Sequence, residues 1–92
     1  MKIRYKLQVN EVAGQYIAVA VGEDAKKYKN ITFLNKVGKY IIELLQKEMT
    51  PEEVVAAVQA HYEGSESMIR NETLSFLDKL AELDLLSNEQ GT

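Results

Sequence analysis

The run Ile31-Thr32-Phe33-Leu34-Asn35-Lys36-Val37-Gly38-Lys39-Tyr40-Ile41-Ile42-Glu43-Leu44-Leu45 changes its period halfway. Up to Leu34 the residues are β-branched or large and apolar, so a short strand is predicted over Ile31–Leu34. From Val37 the apolar residues fall at Val37, Ile41, Leu44 and Leu45, the spacing of one helix face. Asn35 stands at the junction and is a good N-cap, so the strand is predicted to run directly into a helix. Ile31 and Phe33 then point to one side of the strand and Thr32 and Leu34 to the other, and Leu34 is the better core residue. Gly38 costs this helix about 1 kcal/mol relative to Ala. Close packing against its backbone and simple tolerance both account for it.

N-terminal to this junction, Tyr5–Val12 alternates imperfectly and Tyr16–Val21 is β-branched and aromatic, which predicts a hairpin over a three-residue loop, Ala13-Gly14-Gln15. Gly22 ends the second strand. The stretch Glu23–Asn30 reads as a loop, and its basic cluster Lys26-Lys27-Tyr28-Lys29 suits a solvated surface better than contact with phosphate or an acidic peptide. C-terminal to the junction, Thr50-Pro51-Glu52-Glu53 combines a cap, a proline at the first helical position and a capping-box glutamate. Val54, Val58, His61 and Tyr62 line one face of this second helix, and Gly64 stops it. A third helix starts at Ser65 or Ser67 and runs to about Asp84, with its main apolar arc at Ile69, Thr73, Phe76, Leu77, Leu80 and Leu83. The order predicts an α+β domain of three antiparallel strands followed by three helices packed on one sheet face.

One domain spans residues 1–86, and residues 87–92 read as a polar C-terminal tail. With 92 residues, there is no room for two ordinary cores, and 46% hydrophobic composition is too high for a disordered chain. The absence of Cys excludes thiolate zinc sites and a cysteine nucleophile, and the single His excludes a His-pair metal site. No apolar run is long enough to span a membrane, and the start of the chain lacks a signal-peptide core, so a cytoplasmic protein is expected. No phosphate-cradling glycine loop, calcium loop or nucleophile–base pair occurs, and His61 has no motif partner. The residues therefore predict a binding module with no catalytic residues, no metal and no cofactor.

Charge is divided unevenly. Met1–Lys47 carries 9 basic and 4 acidic residues and Glu48–Thr92 carries 2 and 10, which together give the net charge of −3. A net acidic domain whose third helix holds only Arg70 and Lys79 against Glu72, Asp78, Glu82 and Asp84 is poorly suited to phosphate binding. A DNA-binding regulator is the less favoured alternative. Two features suit a peptide instead. In a meander the third strand is an edge, whose unpaired N–H and C=O groups can accept an added strand. On the third helix, Leu74, Ala81 and Leu85 form a flank stripe, with Leu77 between it and the main arc and Arg70 on the same flank one turn earlier. That stripe reads either as a groove wall or as a broad core face or dimer contact. As a groove, Ile31, Thr32 and Phe33 on the strand and Arg70, Leu74, Leu77 and Ala81 on the helix are the candidate peptide-binding residues.

The hairpin ending Val19-Ala20-Val21-Gly22, the run Phe33–Gly38, the helix Tyr40–Leu45, the start Thr50–Val55 and the closing Phe76–Leu80 to Leu85-Leu86 follow one another in an order that resembles the PqqD-like proteins. These are the stand-alone RiPP recognition elements, the leader-peptide-binding domains of ribosomal peptide biosynthesis. The resemblance covers residues 5 to 86. The chain departs from the family pattern at Lys36-Val37, where Glu-Thr is usual, and lacks the frequent Trp between Tyr40 and Glu43. The resemblance implies a winged-helix-like domain without catalytic residues or cofactor. Such a domain takes the leader of a precursor peptide as an added strand between the third strand and third helix, and presents it to a modifying enzyme, often a radical SAM enzyme. Pyrroloquinoline quinone is the product of the namesake pathway. The family match covers Ile31–Leu34 on the strand and the register Ile69–Leu80 on the helix. A docking or oligomerising subunit of an enzyme complex is the alternative function.

Overall fold

The structure, a computed structural model, describes residues 1–87. Two small sheets and three helices share one core. Strand β1 (Lys2–Ile3) opens the chain, β2 (Leu7–Val12) and β3 (Gln15–Ala20) form the hairpin, and β4 (Thr32–Leu34) is the third strand of the antiparallel sheet β2-β3-β4. Helices α1 (Lys36–Leu44), α2 (Pro51–His61) and α3 (Glu66–Glu82) follow, and β5 (Leu86–Ser87) returns to pair with β1. The α+β architecture is as the periodicity predicted.

The hairpin loop is one residue shorter than expected. Val12 pairs with Gln15, leaving Ala13 and Gly14 as a two-residue loop with φ of 53° and 81°. Positive φ at both central residues matches the right-handed twist of the flanking strands, and it is this turn geometry that sets the register. In that register Leu7, Val9, Tyr16, Ala18, Ala20, Thr32 and Leu34 share the helix-facing side. Thr32 and Leu34 are buried, whereas Ile31 is 57% and Phe33 63% exposed.

The junction works as the sequence suggested. The Asn35 side chain accepts a hydrogen bond from the Gly38 amide at 2.8 Å, and α1 begins one residue after the cap with no linker. Ile41, Ile42 and Leu45 then carry α1 into the core, against Val54 and Val58 of α2 and Leu77 and Leu80 of α3. A Cβ placed on Gly38 would lie 3.0 Å from the Phe76 ring, so close packing explains this glycine. At the start of α2, Thr50 Oγ1 accepts from the Glu53 amide and the Glu53 carboxylate accepts from the Thr50 amide, a complete capping box.

Two segments differ from their sequence reading. Gly22–Lys26 forms a 3₁₀ turn held to the hairpin by the Asp24 carboxylate, which accepts from the Lys6 amide at 2.7 Å. The turn delivers Tyr28 into the core, where it stacks on Tyr5 at 5.3 Å, so the basic cluster is a solvated loop around a buried anchor. The chain start, for which the periodicity predicts no element, is a strap. Ile3 is buried and its amide donates to the Leu45 carbonyl, while the Arg4 amide donates to the Leu85 carbonyl. β5 extends the ordered fold to Ser87, into the segment read as tail; residues 88–92 of that segment lie outside the described residues.

Replacing Gly38 by Val should destabilise the domain by about 2 kcal/mol, because the added branch overpacks the Phe76 contact. Urea unfolding measures this, and an unchanged midpoint would show that Phe76 yields without cost.

Candidate functional site

β4 has β3 on one side only, so its other edge is uncovered by any described strand. β4 enters from the Lys27–Asn30 loop and leaves directly into α1, and no later strand among the described residues pairs with it. Alongside that edge lies a concavity of about 340 Å³ lined by Tyr28, Asn30, Ile31, Thr32, Phe33, Lys79 and Leu83. A second of about 490 Å³ continues it past Lys79, lined by Asn35, Val37, Gly38, Glu72, Ser75 and Phe76, among others. Lys79 belongs to both. Together they form a trough with β4 and the start of α1 on one side and α3 on the other. From Ile31 towards Gly38 it passes Leu83, Lys79, Phe76 and Glu72 in turn.

Phe76 is half-buried at the wall of this trough, and Gly38 is what lets its ring lie so close to α1. Leu83 is half-buried at the other end. Tyr28 is buried, and its hydroxyl has no hydrogen-bond partner among the described residues. On the sheet face away from the helices, Ile17 stands opposite Phe33, and Ile17 and Val19 are half-buried. The rim of the edge strand is thus apolar on its outward face as well.

The structure brings Ile31, Thr32 and Phe33 to the trough but not the helix stripe predicted with them. Arg70, Leu74, Leu77 and Ala81 are not among its lining residues. Arg70 reaches the start of α2, where its guanidinium donates two hydrogen bonds to the Glu52 carboxylate at 2.8 and 2.7 Å. Leu77 is buried in the core and Leu74 packs against it. At 100° per residue, Glu72, Lys79 and Leu83 lie about 180° around the helix from Arg70 and Ala81. The more apolar flank is the one that periodicity selects as a wall, whereas the trough-facing side mixes Phe76 and Leu83 with Glu72, Ser75 and Lys79. The signal for that side is Gly38, whose missing side chain answers to the Phe76 ring.

His61 stacks face to face on Tyr40 at 4.2 Å, and Tyr62 meets both rings edge-on. His61 is nonetheless exposed, so it is a surface ring in an aromatic cluster and not a core residue. Among the described residues no group of three His, Cys, Asp or Glu side chains could hold a metal ion. Among them, too, no helix is long and apolar enough to cross a membrane.

The class defined by this geometry is a small α+β domain in which an uncovered sheet edge and a helix form the two sides of an open trough. Residues 17–86 match the sequence model of the family described as coenzyme PQQ synthesis protein D (PqqD), and the chain belongs to that family. Among solved structures it is similar to TbiB1 in complex with the TbiA(beta) leader peptide, at 25% identity and a TM-score of 0.69, with 96% of each chain covered. No curated protein matches the chain.

The two faces of α3 separate by mutation. Leu74→Asp places a charge against the core on the α2 side, and should cost about 2 kcal/mol of stability. Lys79→Gln, in an exposed trough position, should leave the melting temperature unchanged. Equal destabilisation by both in thermal melts would contradict this placement.

The Arg70 guanidinium also holds the Glu52 carboxyl below the usual carboxylate range, chiefly by its hydrogen bonds. A depressed folded-state value contributes stability above the unfolded value and loses it as pH falls through the folded one. Glu52→Gln should therefore lower the melting temperature slightly at neutral pH, and the difference should vanish in acid and shrink in high salt. A difference that grew in acid would contradict the pairing.

Proposed function

We propose that this protein is a non-catalytic adaptor that captures the leader of a ribosomally made precursor peptide and presents it to a modifying enzyme. The observation that carries the reading is the uncovered edge of β4 beside the α3 trough. An extended chain laid along that edge satisfies main-chain groups that otherwise face solvent. Its alternate side chains then enter the trough against Phe76 and Leu83, and the others lie outward beside Phe33 and Ile31. Main-chain bonds supply affinity along the strand, and the apolar walls supply selectivity.

Family membership supports this reading, as does the likeness over nearly the whole chain to a protein solved with a leader peptide. The peptide-binding set proposed from the structure is Ile31, Thr32 and Phe33 on the strand with Phe76, Lys79 and Leu83 on the helix. Arg70 and Leu77 are assigned instead to holding α3 in place. The modifying enzyme is proposed to be of the radical SAM type, on the strength of the family resemblance. A DNA-reading role is disfavoured by α3 itself, where Arg70 is engaged by Glu52 and Glu72, Asp78 and Glu82 are exposed.

The test is calorimetric titration with the leader segment encoded nearest this gene. Phe33→Asp and Leu83→Asp, each confirmed folded by its melt, should weaken binding by about tenfold or more, since each puts a charge where an apolar contact is lost. Leu44→Ser on α1 serves as a control away from the trough and should leave affinity unchanged once its fold is confirmed. Binding that is indifferent to Phe33 and Leu83 would overturn the assignment of the trough.

A further inference from the structure

The trough is not electrically uniform, and its charges are ordered along it. Lys79 is the cation common to both concavities, and Glu72 lines the second beside Asn71 and Ser75. Both are exposed, and among the described residues neither has an ion-pair partner, in contrast to Arg70, Arg4 and Lys39. Phe76 sits between them on the same side of α3. Seven residues of helix separate the two charges by about 10 Å. Side chains on one face of a strand repeat at about 7 Å, so two such positions four residues apart span about 13 Å. The flexible Lys and Glu side chains absorb the difference. Directly against the Lys79 end lies Tyr28, whose buried hydroxyl is unpaired among the described residues.

Resting on the peptide-binding reading above, we propose that Lys79 and Glu72 select bound peptides by the order of their charges and thereby fix the direction in which the peptide lies. The segment recognised carries an acidic residue opposite Lys79, a basic residue opposite Glu72 and an apolar residue between them opposite Phe76. β4 runs from the Leu83–Lys79 end towards the Glu72 end, because Ile31 borders the first concavity and Asn35 the second. An antiparallel partner, the more stable pairing per residue, runs the other way. It therefore presents base, apolar residue and acid in that order from N to C, at alternate positions. A reversed peptide meets like charges at both ends, so attraction at each end is exchanged for repulsion of similar size.

A phage-displayed library of random peptides, panned in parallel on wild type, Lys79→Glu and Phe33→Asp, tests this with no ligand chosen beforehand. Wild type should enrich peptides with the base–apolar–acid order at alternate positions. Lys79→Glu should enrich Lys or Arg in place of the acid, and should bind a wild-type-selected peptide about tenfold more weakly, with the loss recovered by the charge-reversed peptide. Raised salt should shrink that difference. Wild-type peptides that lose binding to Phe33→Asp but show the same residues on Lys79→Glu would overturn the charge-order inference and leave the peptide-binding reading standing. Failure to enrich any peptide family on wild type, or enrichment indifferent to Phe33→Asp, would overturn the peptide-binding reading itself.

Discussion

The Asn35 cap at the β4–α1 junction is the contact on which the rest depends. Its side chain accepts from the Gly38 amide, ends the strand and starts the helix within one residue. Because no linker separates them, the direction of α1 is tied to the direction of β4. The apolar stripe Ile41, Ile42 and Leu45 then drops onto the same core as Thr32 and Leu34. The next position to matter is Gly38, the residue that donates to the cap. Its lack of a side chain admits the Phe76 ring and so sets how closely α3 approaches the strand. The trough beside β4 is thus a consequence of how one strand ends.

The second sheet ties down the far ends of α1 and α3. β1 and β5 pair beside the C-terminal ends of α1 and α3, with β1 bonded to the end of α1 through Leu45 and the strap bonded to the segment after α3 through Leu85. α3 leaves the core at a residue in left-handed conformation, Asp84, with φ of 61°. The Leu85 amide returns to the Leu80 carbonyl there, and Arg4 pairs with Asp84 at 2.7 Å. These contacts fix the C-terminal end of α3, from which Leu83 and Lys79 face the strand. The Arg70–Glu52 pair fixes its other end against α2. The helix is held at both ends by elements other than the main sheet, and its trough-facing side carries no described strand.

Strands, helices and caps are legible in the sequence wherever a period or a capping pattern runs for several residues. Asn35 and Thr50 with Glu53 each cap the helix that their positions predict, and of the two serines that could open α3 it is Ser65 that caps it. The strap of two-residue strands is not legible, because two residues carry no period and their partners lie at the opposite end of the chain. Tyr28 is hidden by its lysine neighbours, since burial of one ring in a charged loop depends on Asp24 holding a 3₁₀ turn in place. The facing of α3 is the consequential difference. Leu74, Leu77 and Ala81 are the more apolar flank, and apolar character alone cannot say whether a flank meets another helix or a groove. The partner of Arg70 is Glu52 on a separate helix, a contact no spacing within α3 announces.

A peptide lying along the free edge of β4 is the central claim, and cross-strand NOEs in an isotope-labelled complex with the leader segment measure it directly. Contacts between peptide backbone protons and the backbone of Thr32–Leu34, together with contacts from alternate peptide side chains to Phe76 and Leu83, are the predicted result. A bound peptide whose contacts fall on α2 and the Arg70–Leu74 side of α3, with β4 untouched, would contradict it.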